Sequence, residues 1–275
     1  MISTLKNKTA IITGSSRGIG RAIALRLACD GVNVVVVGKT SDQHITLPGT
    51  IFTVAKEIEK IGAKALPIKI DVRKESDIKK MVSESVKIFG GIDILINNAG
   101  AIKLTNTSNT LSKHFDLMNS INLKATFFTS KECLPYLEKS SHAHILNISP
   151  PISFKKKWLQ NNLAYTISKY GMTLCTLGMS AEFLDYKIAV NSLWPKTIIN
   201  TSAIKWMMGS SAIAHCREAD IMADAAYTIL TMSYSEINGQ ALLDEDVLRN
   251  EKGISNFQKY SCDINKKLYK DFFVD

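Results

Sequence analysis

Short β-favouring runs recur along this chain with helix-spaced segments between them, and this alternation limits the fold more than any other feature. The runs are Thr9 to Ile12, Val34 to Val37, Ala65 to Ile70, Ile92 to Ile96, Ala143 to Ile148 and Ile188 to Leu193, and Gln240 to Leu243 offers one more. Continuous apolar runs suit parallel strands covered on both faces. Between them, apolar residues return at helical spacing: Ile19, Ile23 and Leu27; Ile78, Met81, Val82 and Val86; Phe115, Met118 and Ile121. Alternating β and α predicts an α/β fold, a parallel sheet with helices on both sides.

The 275 residues contain no Ser/Gly-rich linker, repeat or low-complexity stretch, so residues 1–275 are expected to form one domain. A net charge of +9 favours anionic partners such as phosphates. The cations are spread out except at Lys155-Lys156-Lys157, and no nucleic-acid motif accompanies them, so nucleic acid is not an expected partner. Cys29, Cys133, Cys175, Cys216 and Cys262 form no C-x-x-C pair. They support no metal site and fit reduced thiols. The longest apolar runs are too short to span a membrane, and neither a signal peptide nor a peroxisomal tripeptide is visible. A cytoplasmic chain without a transmembrane segment is the expectation.

In parallel α/β sheets ligands bind beyond the carboxyl ends of the strands. The first run leads into Thr13-Gly14-Ser15-Ser16-Arg17-Gly18-Ile19-Gly20. Glycines there permit a tight turn and close approach of a diphosphate to backbone N–H groups, and the following helix offers its positive end. The second run ends Gly38-Lys39-Thr40, where NAD-binding chains usually carry an acid for the ribose hydroxyls. Lys39 and Arg17 instead favour a 2′-phosphate, hence NADP(H). Asp71 follows the third run, as a turn acid or a partner for adenine. Asn97-Asn98-Ala99-Gly100 follows the fourth, a small-residue turn that lets a cofactor lie close. Tyr165 and Lys169 are four apart and share a helix face. A nearby ammonium favours the phenolate, so the pair can pass a proton to or from a carbonyl oxygen.

Taken together these residues resemble the short-chain dehydrogenase/reductase family. T-G-S-S-R-G-I-G, Asp71-Val72, N-N-A-G, Asn122 in I-N-L-K-A-T-F-F and Y-T-I-S-K occur in the family's order and spacing. The resemblance implies a Rossmann-type doubly wound sheet of about seven strands. It implies hydride transfer between NAD(P)H and an alcohol/carbonyl pair. Tyr165 would be the general acid/base, Lys169 would hold the nicotinamide ribose and lower the tyrosine pKa, and Asn122 would support a water relay to Lys169. Asp71 would touch adenine, and Asn98, Ala99 and Gly100 would flank the adenosine ribose. Pro195 and the stretch after it, with Thr197 and Ile199, would approach the nicotinamide amide.

Within the family, G-K-T with a long insert, A-H-I-L-N-I-S-P-P, A-Y-T-I-S-K-Y-G-M and A-V-N-S-L-W-P-K-T resemble the hydroxysteroid dehydrogenase-like proteins. Members of that subgroup often add a C-terminal sterol-carrier domain, which is not expected within these residues. Two departures stand out. Pro150 occupies the family's usual catalytic-serine place, and Lys196 replaces a glycine, adding charge and bulk near the pocket. Ser149 lies sixteen residues before Tyr165 and Ser153 twelve before it. Ser149, pushed toward an extended conformation by Pro150, is the favoured partner for the reacting oxygen. Lys155 to Lys157 read as a solvated run or as a landing strip for a phosphate-bearing substrate. Residues 200 to 217, with Ile204, Trp206, Met207, Met208 and Ile213, read as an apolar helix pair over a hydrophobic substrate. The expected activity is NADP(H)-dependent interconversion of a carbonyl and an alcohol on a small apolar substrate, in a homodimer or homotetramer. The alternatives are a ketoacyl-carrier or acyl-CoA reductase, and a non-catalytic NADP(H) sensor.

Overall fold

A computed structural model describes residues 4–42 and 48–275. Seven parallel strands form one sheet: β1 (Thr9–Thr13), β2 (Asn33–Gly38), β3 (Ala65–Lys69), β4 (Ile94–Asn97), β5 (Ala143–Asn147), β6 (Ile188–Trp194) and β7 (Ala241–Leu243). Their order is β3-β2-β1-β4-β5-β6-β7. The chain winds outward from β1 to one edge, then returns to place β4 beside β1 and winds the other way. That reversal opens a crevice at the carboxyl ends of β1 and β4. The expected α/β, Rossmann-type doubly wound fold is therefore the fold observed.

Ten α-helices accompany the strands among the described residues. They are α1 (Gly18–Ala28), α2 (Ile51–Ile61), α3 (Glu75–Phe89), α4 (Ser112–Met118), α5 (Ala125–Leu137), α6 (Lys156–Leu159), α7 (Leu163–Glu182), α8 (Ser202–Met208), α9 (Asp220–Leu230) and α10 (Asp244–Lys252). The pleat sends successive strand residues to opposite faces. Ile12, Val34, Val36, Ile94 and Ile96 pack against Ile23 and Leu27 of α1 and against α9. Ile11, Val35, Leu95 and Ile145 face the other way, toward Met81 of α3 and Leu137 of α5. Each such fully buried side chain contributes about 1.5–3 kcal/mol relative to exposure. The sheet centre is not wholly apolar. Asn97 Nδ2 donates to Asn147 Oδ1 at 2.9 Å, and Asn147 Nδ2 donates to Thr176 Oγ1 at 2.8 Å. These bonds satisfy groups that would otherwise be buried unpaired, and they tie the ends of β4 and β5 to α7.

Residues 200–217 hold one short helix, α8, followed by a 3-10 turn at Ser210–His215 rather than a second α-helix. Gly209 separates them at φ 83°. Among the described residues no helix is long and apolar enough to cross a membrane. Residues 43–47, within the insert after Lys39, lie outside the described residues.

Candidate active site

A cavity of about 660 Å³ lies at the carboxyl ends of the central strands, within the usual range for a small-molecule site. Gly14, Ser16, Arg17, Gly18 and Ile19 line one end, with Lys39, Asp71, Val72, Asn98, Ala99 and Gly100. Tyr165, Lys169, Pro195 and Ile199 line the other. Five of the named residues stand behind this surface. Ser15 is buried, and its Oγ donates to the Ile12 carbonyl at 2.8 Å. Gly20, Asn122, Ser149 and Thr197 likewise support the wall without lining it.

The glycine turn is built for close approach. Gly14 sits at φ +68°, and a Cβ there would come within 2.8 Å of Ala99 Cα. A Cβ at Gly20 would come within 2.4 Å of Asn98 Nδ2. Asn98 Nδ2 in turn donates to the carbonyls of Thr13 and Gly14. The turn after β4 is thus bolted to the turn after β1. Helix α1 has neither a capping side chain nor an acid in its first turn. Its leading N–H groups are left for an anion, which fits a dinucleotide diphosphate.

Cations gather where the second strand ends. Asp71 pairs with Lys39 at 3.2 Å and with Arg73 at 2.5 Å. The Arg73 guanidinium, helped by Lys39, holds the Asp71 carboxyl well below the usual carboxylate range. Arg17 donates to the carbonyls of Pro48 and Gly49, which lays its guanidinium along the same rim. Three cations, Arg17, Lys39 and Arg73, stand against two carboxylates, Asp71 and Asp77, whose Oδ2 accepts from the Asp71 N–H, and leave this rim net positive. Arg73 was not singled out from sequence; its place two residues after Asp71 was the available signal.

Tyr165 and Lys169 are both buried on one face of α7. Lys169 Nζ donates to the Ile148 carbonyl at 2.8 Å and lies 5.2 Å from the centre of the Trp194 ring. Burial lowers the Lys169 pKa to about 7, an effect opposed by Asp271. Burial pushes the Tyr165 phenol well above its ordinary value. Asn122 sits in a π-helical turn, Asn119–Lys124, between α4 and α5. Its Nδ2 donates to the Ala101 carbonyl and to Ser168 Oγ, both at 2.9 Å, and its Oδ1 accepts from the Ala101 N–H. Such turns recur at functional sites, and this one fixes the segment beside Gly100.

The two serines weighed for the reacting oxygen both stand behind the cavity surface. Ser149 is fully buried, and its Oγ is hydrogen-bonded with Thr173 Oγ1 at 3.0 Å. Ser153 uses its backbone N–H and carbonyl to engage the Tyr170 hydroxyl. Neither lines the cavity. Lys196 also turns away: its Nζ pairs with Asp246 at 2.9 Å and Glu245 at 3.4 Å, at the start of α10. Lys155 and Lys157 both pair with Asp275, at 2.9 and 2.8 Å. Of the apolar residues expected over the substrate, Ile204, Trp206 and Met207 line the cavity, while Met208 and Ile213 do not. Sequence reasoning missed Trp194, Asp271 and Phe272, which complete the wall.

The short chain dehydrogenase family profile matches residues 8–207, most of the chain. This protein belongs to the short-chain dehydrogenase/reductase family. Within the family it is similar to the hydroxysteroid dehydrogenase-like protein 2 of Xenopus laevis, 53% identical over 267 residues, and to that of Homo sapiens, 51% identical. Each alignment covers 97% of this chain and 63% of the relative, so the chain spans under two thirds of those proteins. A short-chain dehydrogenase of known structure from Mycobacterium thermoresistibile superposes with a TM-score of 0.93 at 45% identity, covering 98% of this chain and 96% of that one. The shared fold accounts for the glycine turn and the Tyr/Lys face in one cavity.

Proposed function

We propose that the protein is an NADP(H)-dependent reductase/dehydrogenase that interconverts a carbonyl and an alcohol on a small apolar or lipid-like substrate. The observation that carries this reading is the single cavity joining a net-positive glycine cradle to a buried Tyr165/Lys169 pair. When bound, a nicotinamide cofactor would supply or accept the hydride. Tyr165 gives its phenolic proton to the carbonyl oxygen in reduction and takes it back in oxidation. Lys169, when protonated, favours the phenolate and eases that transfer. Lys39, Arg73 and Arg17 favour a cofactor with a 2′-phosphate, and Asp71, already paired to two cations, offers little to a free ribose hydroxyl. Ile204, Trp206, Met207 and Phe272 supply the apolar wall.

A carbonyl and alcohol panel followed through NADPH absorbance tests the reading. Turnover by the natural protein, lost in Tyr165→Phe with NADPH binding retained, supports it. NADPH binding with no turnover of any panel member favours a non-catalytic sensor.

We also propose a homo-oligomer. Leu163, Ile167, Leu174 and Leu177 form an exposed apolar stripe along α7, and Phe127 of α5 is exposed as well. A Cβ added at Gly178 would meet nothing within 4 Å, which leaves that face open to close packing. A second copy would cover the stripe. Leu174→Glu is expected to lower the mass measured by light scattering, and an unchanged mass contradicts the assignment.

A further inference from the structure

We infer that Asp271 is a specificity-determining residue: its carboxylate admits uncharged, hydroxyl-bearing substrates beside Tyr165 and turns away anionic ones. The inference rests on the oxidoreductase reading above. Asp271 lines the cavity with Tyr165, Lys169, Trp194 and Phe272. Its Oδ1 accepts from the Phe272 N–H at 2.6 Å. Among the described residues Oδ2 has no protein donor.

The backbone on both sides of Asp271 is fixed. Its N–H donates to the Lys196 carbonyl at 3.1 Å, and the Ile198 N–H donates to the Tyr269 carbonyl at 3.0 Å. Trp194 Nε1 donates to the Phe272 carbonyl at 2.8 Å. The Phe273 ring packs against Tyr165, Tyr170, Trp158 and Trp194, with centroids 5.2–6.1 Å apart. Beyond it, Asp275 accepts from Trp158 Nε1 and pairs with Lys155 and Lys157. The segment is therefore a built wall, and its acid is held at the cavity surface.

That surface is otherwise mostly apolar, with Ile102, Trp194, Ile204, Met207 and Phe272 around it. Asp271 is partly exposed at the cavity surface, so a bound substrate desolvates its free oxygen, and a substrate hydroxyl offsets that cost by donating to it. An anionic group in the same place meets like charge at low dielectric. Two charged groups act on Asp271 from neighbouring elements: Lys169 on α7, which lowers its pKa, and Asp244 at the start of α10, which raises it. Burial dominates and brings the Asp271 carboxyl to about 7, so an assay at mildly alkaline pH finds it charged. With Asn at 271 the like charge facing an anionic group is gone, and the discrimination weakens.

Three matched ketones test this, sharing one chain and ending in a hydroxyl, a methyl or a sulfonate, each assayed with NADPH at mildly alkaline pH. The natural protein is expected to favour the hydroxyl over the sulfonate by at least about tenfold in kcat/KM. Asp271→Asn is expected to narrow that gap by about tenfold, with the methyl ketone changed less than about threefold. Equal use of hydroxyl and sulfonate by the natural protein overturns the inference without any variant, and so does an unchanged gap in Asp271→Asn. Turnover of none of the three overturns the oxidoreductase reading and this inference with it.

Discussion

Lys169 on α7 donates to the Ile148 carbonyl just beyond β5, at 2.8 Å, which fixes the cation at the mouth of the strand that leads into Ser149 and Pro150. The bond holds Nζ in place, but burial brings its pKa down to about 7, below the unfolded value of about 10.4. Between those values the unfolded chain binds the extra proton, so the Lys169 contribution to stability rises with pH from about 7 upward. Lys169→Met should flatten that slope relative to the natural protein in denaturant melts at pH 7 and 8.5. It should also cut turnover by about 10²–10⁴-fold, the usual worth of a tuned acid/base.

Two glycines separate close approach from mere helix flexibility. Gly20→Ala would press a methyl onto Asn98 Nδ2 and the Gly14 carbonyl. A loss of about 1–3 kcal/mol in stability and at least about tenfold in NADPH affinity is expected, read by melts and fluorescence titration. Gly178→Ala, made in Leu174→Glu protein so that no second copy covers that face, should stabilise by about 0.4–1 kcal/mol.

Cofactor choice should follow the rim charge. Lys39→Asp places a second carboxylate beside Asp71, 3.2 Å from the present Nζ. The ratio of kcat/KM for NADPH over NADH is expected to fall by about tenfold or more, an electrostatic change of about 1.4 kcal/mol. Equal use of both cofactors by the natural protein contradicts the assignment.

The hydroxyl of Ser149 is engaged by Thr173 rather than facing the cavity. Ser149→Ala should therefore cost about 1 kcal/mol in stability, with kcat/KM within about threefold. A hundredfold fall in turnover at unchanged stability would show instead that the hydroxyl reaches the reacting oxygen.

The sheet was legible because its central strands are apolar on both faces, and Tyr165 and Lys169 because helical spacing alone aligns them. Long-range pairing was not. Lys196 reads in sequence as a charge at the pocket, but Glu245 and Asp246, 49 and 50 residues on, draw it away. Ser149 was aimed by a partner on α7 that spacing along the strand does not reveal. Asp271 and Phe272 carry no motif, and they enter the cavity only because Tyr269 and Asp271 pair with the segment after β6.

Deuterium transfer tests the central claim most directly. The protein is incubated with NADPH deuterated at the transferable C4 position and a carbonyl substrate from the panel, and the product is read by mass spectrometry. The account predicts deuterium on the carbinol carbon with the natural protein and its loss in Tyr165→Phe, which still binds the cofactor. Equal label transfer by Tyr165→Phe would contradict it.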